Sequence, residues 1–240
     1  AIYYYGDQVP NFVRLKSADP AHVLPGYDYD VCDPYVLLNR MSVTAGRIIL
    51  PDGMSYSVLV LPEVDVIAPA ALRKITQLVR DGATVIGRRP KHSSTLSGAP
   101  QSDTELARLA DELWGVAAAS PAGEHAFGKG RVIWGRSARE VLATRGIQPD
   151  FEFVATQSGV KLDYIHRRTV DADIYFVSNQ GDRAERLQVT FRVSGKMPEL
   201  WLPITGEIRP QALYDATSDG RTTLPLRLEP YGSVFVVFRR

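Results

Sequence analysis

Cysteine occurs once in the chain, at Cys32. No intramolecular disulfide can form, and a zinc site built on cysteines is excluded. So sparse a use of cysteine suits a reducing or an exported setting, so the compartment of a bacterial parent, cytoplasmic or exported, stays open. Long hydrophobic runs are also lacking. No stretch of about 18 apolar residues occurs, so nothing reads as a membrane-spanning helix, and no signal peptide is legible. An excess of one sign of charge is missing too: Lys and Arg number 28 against 27 Asp and Glu, for a net charge of +1. That removes the electrostatic footprint of a nucleic-acid or acidic-membrane binder. Short basic runs remain at Arg88-Arg89-Pro90-Lys91 and Arg167-Arg168; the first reads as a solvated loop.

The motifs of common α/β chemistry are missing as well. No G-x-G-x-x-G follows the first strand-like run, and no G-x-x-x-x-G-K-[ST] occurs, so no cofactor is expected. Neither G-x-S-x-G nor G-x-C-x-G is present, so the nucleophile elbow of α/β-hydrolases and glutamine amidotransferases is absent. Cys32 stands at the start of a helix, where a thiolate gains stability, but a Pro follows nearby and no His motif accompanies it. It reads as structural.

What is present is a chain of 240 residues, 45% apolar and 23% charged, ample for one large core or two small ones. Residues 1–149 alternate strand-like and helical stretches. Apolar runs at 2–5, 57–61, 83–87 and 130–134 suit parallel strands buried on both faces, and 47–50 reads as a smaller strand. The turn signal Gly6-Asp7 closes the first run. Residues 33–41 read as a helix with Asp33 as N-cap and Pro34 at its first position. Residues 68–80 carry Leu72, Ile75, Leu78 and Val79 at helical spacing, ended by Asp81-Gly82. Residues 88–99 read as a polar loop. Ser102 and Glu105 look like a capping box for a helix over 102–114, Gly128-Lys129-Gly130 like a hairpin-type turn, and 138–146 like a last helix. The order implies a flavodoxin/amidotransferase-like α/β domain, a mostly parallel sheet with helices on both faces.

From about residue 150 the helical period vanishes. Short strands are predicted at 162–167, 174–178, 187–193, 199–202, 224–228 and 233–238, separated by Gly, Asp and Pro turns. Alternation in Leu187-Gln-Val-Thr-Phe-Arg-Val places apolar residues on one face. Residues 150–240 thus read as an antiparallel, β-sandwich-like domain.

Two clusters carry candidate chemistry. Asp28-Tyr29-Asp30, with Asp33 nearby, could bind calcium or act as an acid/base pair on a sugar, with Tyr27 and Tyr29 stacking on a sugar face. The spacing does not match an EF-hand loop, and the alternative is a loop whose aspartates cap and brace. Glu63 is a further carboxylate that a small hydrolase could pair with Asp28 or Asp30. The second cluster is Tyr164-Ile165-His166-Arg167-Arg168, followed by Asp171 and Asp173. His166 and the arginines could bind an anion or sugar hydroxyls, could bridge the domains to the 28–33 loop, or could pair locally with Asp171 or Asp173 across a hairpin. Alternation puts His166 and Arg168 on one face and Arg167 on the other.

Several segments together resemble glycoside hydrolase family 106, the α-L-rhamnosidases. They are Tyr4-Tyr-Gly-Asp-Gln-Val-Pro-Asn-Phe-Val13, Leu24-Pro-Gly-Tyr-Asp-Tyr-Asp30, Leu37-Leu-Asn-Arg40, Leu50-Pro-Asp-Gly53, Tyr56 to Pro62 and Asp81-Gly-Ala-Thr-Val85. Ile165-His-Arg-Arg168, Asp173-Ile-Tyr-Phe-Val-Ser-Asn179 and Leu228-Glu-Pro-Tyr-Gly-Ser-Val-Phe-Val-Val237 continue the series in order. The resemblance implies a large inverting glycosidase whose (β/α)₈ barrel carries two glutamates and a calcium site. It also implies that the matching stretch lies after that barrel, as an amidotransferase-like domain followed by sandwich material. No part of this chain resembles the barrel, so no catalytic glutamate or metal ligand is carried over. The chain enters a strand-like run at once and ends in another, so both ends read as cut.

The expectation is an accessory portion of a rhamnosidase-like enzyme acting on plant or microbial glycans. Tyr29, Asp30, His166, Arg167 and Arg168 are its substrate-binding or interdomain candidates, and its partners are carbohydrate, the missing barrel or a second copy of the chain. A surface that meets the barrel should show as an apolar patch on the α/β domain or be covered in an oligomer. The alternatives are a small hydrolase using Asp28, Asp30 or Glu63, and a carbohydrate-binding or oligomerisation module.

Overall fold

The computed structural model describes residues 1–6, 18–95, 101–115 and 120–240. Asp7, with the rest of the first family-like segment, and the end of the 88–99 loop lie outside the described residues. The chain divides into two compact units, Ala1–Ile147 and Gln148–Arg240. Both are built on mixed or antiparallel sheets with few helices.

The first unit contains β1 (Ile2–Tyr4), β2 (Asp30–Cys32), β3 (Ser42–Thr44), β4 (Arg47–Ile49), β5 (Ser55–Tyr56), β6 (Leu59–Val60), β7 (Val66–Ile67), β8 (Thr84–Ile86), β9 (His92–Ser93), β10 (Gly123–Phe127) and β11 (Gly130–Trp134). Six of these form one sheet in the order β10-β11-β8-β6-β1-β2. All neighbours are parallel except the β10–β11 hairpin at one edge. The apolar runs are continuous because successive residues feed opposite faces, and both faces are covered. Ile2, Tyr4, Leu59, Val85 and Val132 share one core with helices Pro34–Arg40, Pro69–Asp81 and Gln101–Trp114. Tyr3, Val60, Ile86 and Ile133 share the other with helix Ala138–Thr144 and residues 21–29. Each fully buried Leu, Ile or Val contributes roughly 1.5–3 kcal/mol.

Helix starts follow local chemistry with one correction. The Asp33 carboxylate accepts the Val36 amide at 2.8 Å, as an N-cap should. Gly82, at φ 126°, closes Pro69–Asp81 and donates to the carbonyls of Leu78 and Val79. The capping box expected at Ser102 and Glu105 does not form. The helix begins at Gln101, Ser102 is buried within it, and the Glu105 carboxylate takes the Arg73 fork at 2.6 and 2.9 Å from the neighbouring helix. The same S-x-x-E pattern is realised at Ser137 and Glu140, where both reciprocal bonds are present. The pattern is local, and a bidentate guanidinium outcompetes a neutral amide for the carboxylate.

Two further differences concern strands. The expected 88–99 loop contains β9, paired in parallel with β7, and the edge strand β10 was not anticipated. Its sequence, Gly-Glu-His-Ala-Phe, has no strong strand signal and is held by pairing with β11.

The second unit consists of β12 (Phe151–Ala155), β13 (Leu162–Arg168), β14 (Ala172–Asn179), β15 (Glu185–Phe191), β16 (Met197–Trp201), β17 (Ile208–Pro210), β18 (Asp215–Ala216), β19 (Thr222–Leu228) and β20 (Ser233–Arg239). They form two antiparallel sheets, β12-β15-β19-β18 and β13-β14-β20-β16-β17. Leu187, Val189 and Phe191 from the first sheet share one core with Tyr175, Val177, Val234, Val236 and Phe238 from the second. Pro225 is tolerated in β19 because β18 pairs only with Thr222 and Thr223, leaving the strand an edge at Pro225 on that side.

Candidate functional site

The acidic segment of the first unit is occupied by structural duties. The Asp28 carboxylate accepts the Tyr29 amide at 2.9 Å. Asp30 opens β2 and its carboxylate accepts the Tyr56 hydroxyl at 2.9 Å, while Asp33 caps the following helix. Burial, with Asp19, Asp28 and Tyr3 adding, pushes the Tyr29 phenol up to about 12, and the ring packs against the second core of the unit. The Tyr27 hydroxyl donates to the Ile147 carbonyl at 2.7 Å. Cys32 is buried, and burial, with Asp33 adding, pushes its thiol up to about 12, far from a thiolate.

The three carboxylates of the small-hydrolase alternative are not brought together. Asp30 is in register with Ile2 at the amino end of the parallel strands, with Asp28 just before it. Glu63 follows β6 at the carboxyl end, its side chain 61% exposed and 3.9 Å from Arg88. No group of three or more His, Cys, Asp or Glu suited to a metal ion occurs among the described residues.

Ligands of open α/β sheets usually sit outside the carboxyl ends of the strands. Here that end carries a cleft of about 260 Å³ lined by Asp65, Arg88, Arg89, Lys91, Trp114 and Trp134, among others. The basic run seen in the sequence forms one wall, but its charges are paired. Arg88 and Lys91 each lie 3.1 Å from Asp65, and Arg89 lies 2.7 Å from Asp111. The Trp114 and Trp134 indoles donate to the carbonyls of Gly87 and Ser120.

A cluster of buried charge lies in the second unit, around His166. Its Nδ1 faces the Asp150 carboxylate at 3.0 Å and its Nε2 faces Asp173 at 3.1 Å. Asp150 also accepts from the Tyr175 hydroxyl at 3.1 Å and from Arg192 at 3.0 Å. Asp173 accepts from Arg168 Nε at 2.7 Å and Lys196 Nζ at 2.8 Å. Burial favours the protonated acid at Asp173, but hydrogen bonds from Lys196, Arg168 and His166 outweigh it and hold the carboxyl down at about 2. Asp150 is lowered too, against its burial, chiefly by His166 and then Arg192. Burial and the Asp150 charge raise the Tyr175 phenol.

Strand alternation delivers His166 and Arg168 to this face, through the pairings His166–Tyr175 and Arg168–Asp173. Arg167 pairs with Ile174 and donates to the carbonyl of His166 at 3.1 Å. Of the two local partners considered, Asp173 is engaged and Asp171 is exposed. Asp150, Tyr175, Arg192 and Lys196 were missed, because they are scattered over 47 positions of sequence (150 to 196). Both ring nitrogens of His166 face carboxylates and each carboxylate accepts from three side chains. The arrangement is a closed network suited to bracing strand ends.

The sequence profile of the α-L-rhamnosidases, glycoside hydrolase family 106, matches residues 1–215. A curated protein of Formosa agariphila, provisionally named beta-glucuronidase, is 38% identical over 233 residues, covering 95% of this chain and 19% of that protein. The solved rhamnosidase from Novosphingobium sp. PP1Y is 34% identical with a TM-score of 0.86, over 100% of this chain and 22% of that one. A GH42 β-galactosidase from G. stearothermophilus shares the fold alone, at 13% identity and a TM-score of 0.55, over 100% of this chain and 40% of that one. The chain thus spans about a fifth of the length of the Formosa and Novosphingobium relatives. Matched over most of its length by the family profile, the chain belongs to glycoside hydrolase family 106, the α-L-rhamnosidase family.

Proposed function

We propose that this chain is an accessory, non-catalytic portion of an α-L-rhamnosidase-like glycoside hydrolase whose catalytic barrel lies elsewhere in the parent polypeptide. The observation that carries this reading is the coverage: the whole chain aligns with a rhamnosidase structure, yet with only 22% of it. The carboxylates support it, since Asp28, Asp30 and Asp33 brace a loop, and Asp150 and Asp173 are saturated by cations and hydroxyls. The relatives' names support it as well. They specify different sugars while this portion stays similar in both, as expected if sugar specificity is set outside it.

The first unit is then an amidotransferase-like α/β domain. Its five parallel strands, counted in chain order, run 2-1-3-4-5 across the sheet, the flavodoxin-type order. The second unit is a sandwich-like domain. Its five-stranded sheet carries an outer row in register, Ile165–Phe176–Phe235–Trp201–Ile208, with Ile165 43% and Ile208 58% exposed. Such a row suits packing against further protein. Among the described residues, the large exposed apolar side chains are concentrated in this unit, whereas the sequence placed the docking surface on the α/β unit.

The test is turnover of aryl α-L-rhamnosides by the purified chain, with none expected. Turnover that Asp28→Asn, Asp30→Asn or Glu63→Gln abolishes would replace this reading with that of a small hydrolase.

A further inference from the structure

A second cavity, larger than the carboxyl-end cleft, lies along β11 and the helix Ala138–Thr144. A pocket of about 460 Å³ opens beside Thr84 and Gly130, where β8 and β11 begin. Its lining includes four cationic side chains, Lys129, Arg131, Arg136 and Arg145, and one carboxylate, Glu124. Arg47 stands close by: it donates to the Ser57 hydroxyl at 2.9 Å, and Arg145 Nη1 donates to the Ser57 carbonyl at 3.0 Å. A second bond from the same Nη1, to Thr84 Oγ1 at 3.0 Å, holds the Arg145 guanidinium against the start of β8.

The contrast with the carboxyl-end cleft is one of ion pairing. There each cation has an acid within 3.1 Å. Here the sole ion pair given by these side chains among the described residues is Arg131 with Glu124, at 3.6 Å. Arg145 is instead pushed below the usual guanidinium value, by burial first and then by the charges of Arg131 and Arg47. Two helix C-termini, at Gly82 and Arg145, also meet the pocket. Each contributes about half a negative charge at most. Together they offset about one of the three net positive charges of the lining. Gly130, in the lining, is pressed against backbone: a Cβ there would stand 2.2 Å from the Ala83 carbonyl oxygen and 2.4 Å from that of Val79, so only glycine fits.

We propose that this pocket is an oxyanion-binding site, in which Arg131 and Arg145 hold a sulfate, phosphate or carboxylate group with Lys129 and Arg136 at its rim. Planar guanidinium forks match the paired oxygens of these groups. Thr84, Arg131 and Arg145 stand towards the amino end of the parallel strands, away from the usual α/β ligand position, and the site does not depend on the accessory reading. Glu124 competes with the anion for Arg131. The anion is either a free ion or a group borne on a sugar, and the two are separable by experiment.

The experiment is calorimetric titration and thermal unfolding of the full chain with inorganic sulfate, inorganic phosphate, a monosaccharide sulfate ester and glucuronic acid, each against sodium chloride at matched ionic strength. Saturable binding with Kd about 1 mM is expected in low salt, weakening as screening sets in at a Debye length of about 8 Å near 0.15 M. Arg131→Gln, Arg145→Gln and Arg136→Gln should each weaken it severalfold, and Glu124→Gln should tighten it. Unliganded Arg131→Gln should melt no lower than the parent, because like-charge repulsion is relieved. Lys91→Gln, in the ion-paired cleft, should bind as the parent does. If the inorganic ions bind better than the sugar-borne groups, the occupant is a free anion; the reverse assigns it to a glycan. The proposal is overturned if no anion exceeds the chloride control, if Arg131→Gln and Arg136→Gln bind unchanged, or if Lys91→Gln weakens binding equally. Should Arg145→Gln fail to fold, the other two arginine variants decide the matter.

Discussion

The imidazole of His166 lies flat on the phenol ring of Tyr175, with centroids 4.0 Å and planes 11° apart, and both side chains reach the Asp150 carboxylate. On its other side His166 meets Asp173, so one stacked pair of rings ties two buried carboxylates into one network. Asp173 sets its acid sensitivity. Its carboxyl is held at about 2, against an ordinary 3.8. The folded state therefore binds this proton less tightly than the unfolded chain does. The stabilisation is present in full above about pH 4 and is lost as pH falls from there through 2. Urea melts between pH 6 and 2 should show that loss. Asp173→Asn should flatten it and lower stability by about 3 kcal/mol, since Lys196 would lose a buried counter-charge.

The Asp33 cap is the simplest local test. Asp33→Ala removes the acceptor of the Val36 amide at the start of Pro34–Arg40. A loss of about 1 kcal/mol is expected, read as a lower thermal midpoint with Asp33→Ser restoring most of it. An unchanged midpoint in the Ala variant would show that the cap is redundant.

Gly130→Ala tests the tight backbone approach between β11 and the end of helix Pro69–Asp81. The added Cβ would meet the carbonyls of Ala83 and Val79, which belong to backbone and cannot swing away. Destabilisation of about 1–3 kcal/mol is expected. Gly146→Ala is the comparison: no atom lies within 4 Å of its Cβ, but its φ of 71° carries strain of its own, so its smaller cost measures conformation without clash.

The outer row of the five-stranded sheet separates a docking face from an ordinary surface. Ile208→Asp should change the stability of the isolated chain by less than about 0.5 kcal/mol, because Ile208 is 58% exposed. In a longer protein containing the catalytic portion, the same change should lower stability or weaken association of the parts. Equal, negligible effects in both settings would remove the docking role.

Legibility differed between the units for physical reasons. Val58, Leu59, Val60 and Leu61 are all buried because a two-face-covered strand leaves no polar side, so an apolar run suffices to announce it. β10 gave no such signal, since Glu124 and Ala126 look outward from an edge strand whose partner supplies the order. Ser102 and Ser137 show the limit of short motifs. Both begin S-x-x-E, and the choice fell to Arg73, which lies 32 positions before Glu105 and enters no local window.

The acidic segment at 28–33 was visible as a cluster, and each of its carboxylates takes a donor, from Tyr29 and Val36 close by in the chain and from Tyr56 26 positions on. The His166 network was half visible. Alternation along β13 assigned the faces of His166, Arg167 and Arg168, but Asp150, Arg192 and Lys196 come from connections that only the meeting of two sheets brings together.

By itself the sequence determined the parallel order of strand and helix, the change to strands near residue 150, the helix caps set by near neighbours and the ordered family resemblance. These rest on periodicity and contacts a few residues apart, which the chain carries locally. Only the tertiary structure decided which charges are paired. Arg88 and Lys91 lie beside Asp65, whereas Arg145 has Arg131 and Arg47 for neighbours. Coulomb energy depends on separation in space and on local screening, not on position in the chain. A basic run in the sequence therefore became an ion-paired cleft, and scattered arginines became the positive pocket.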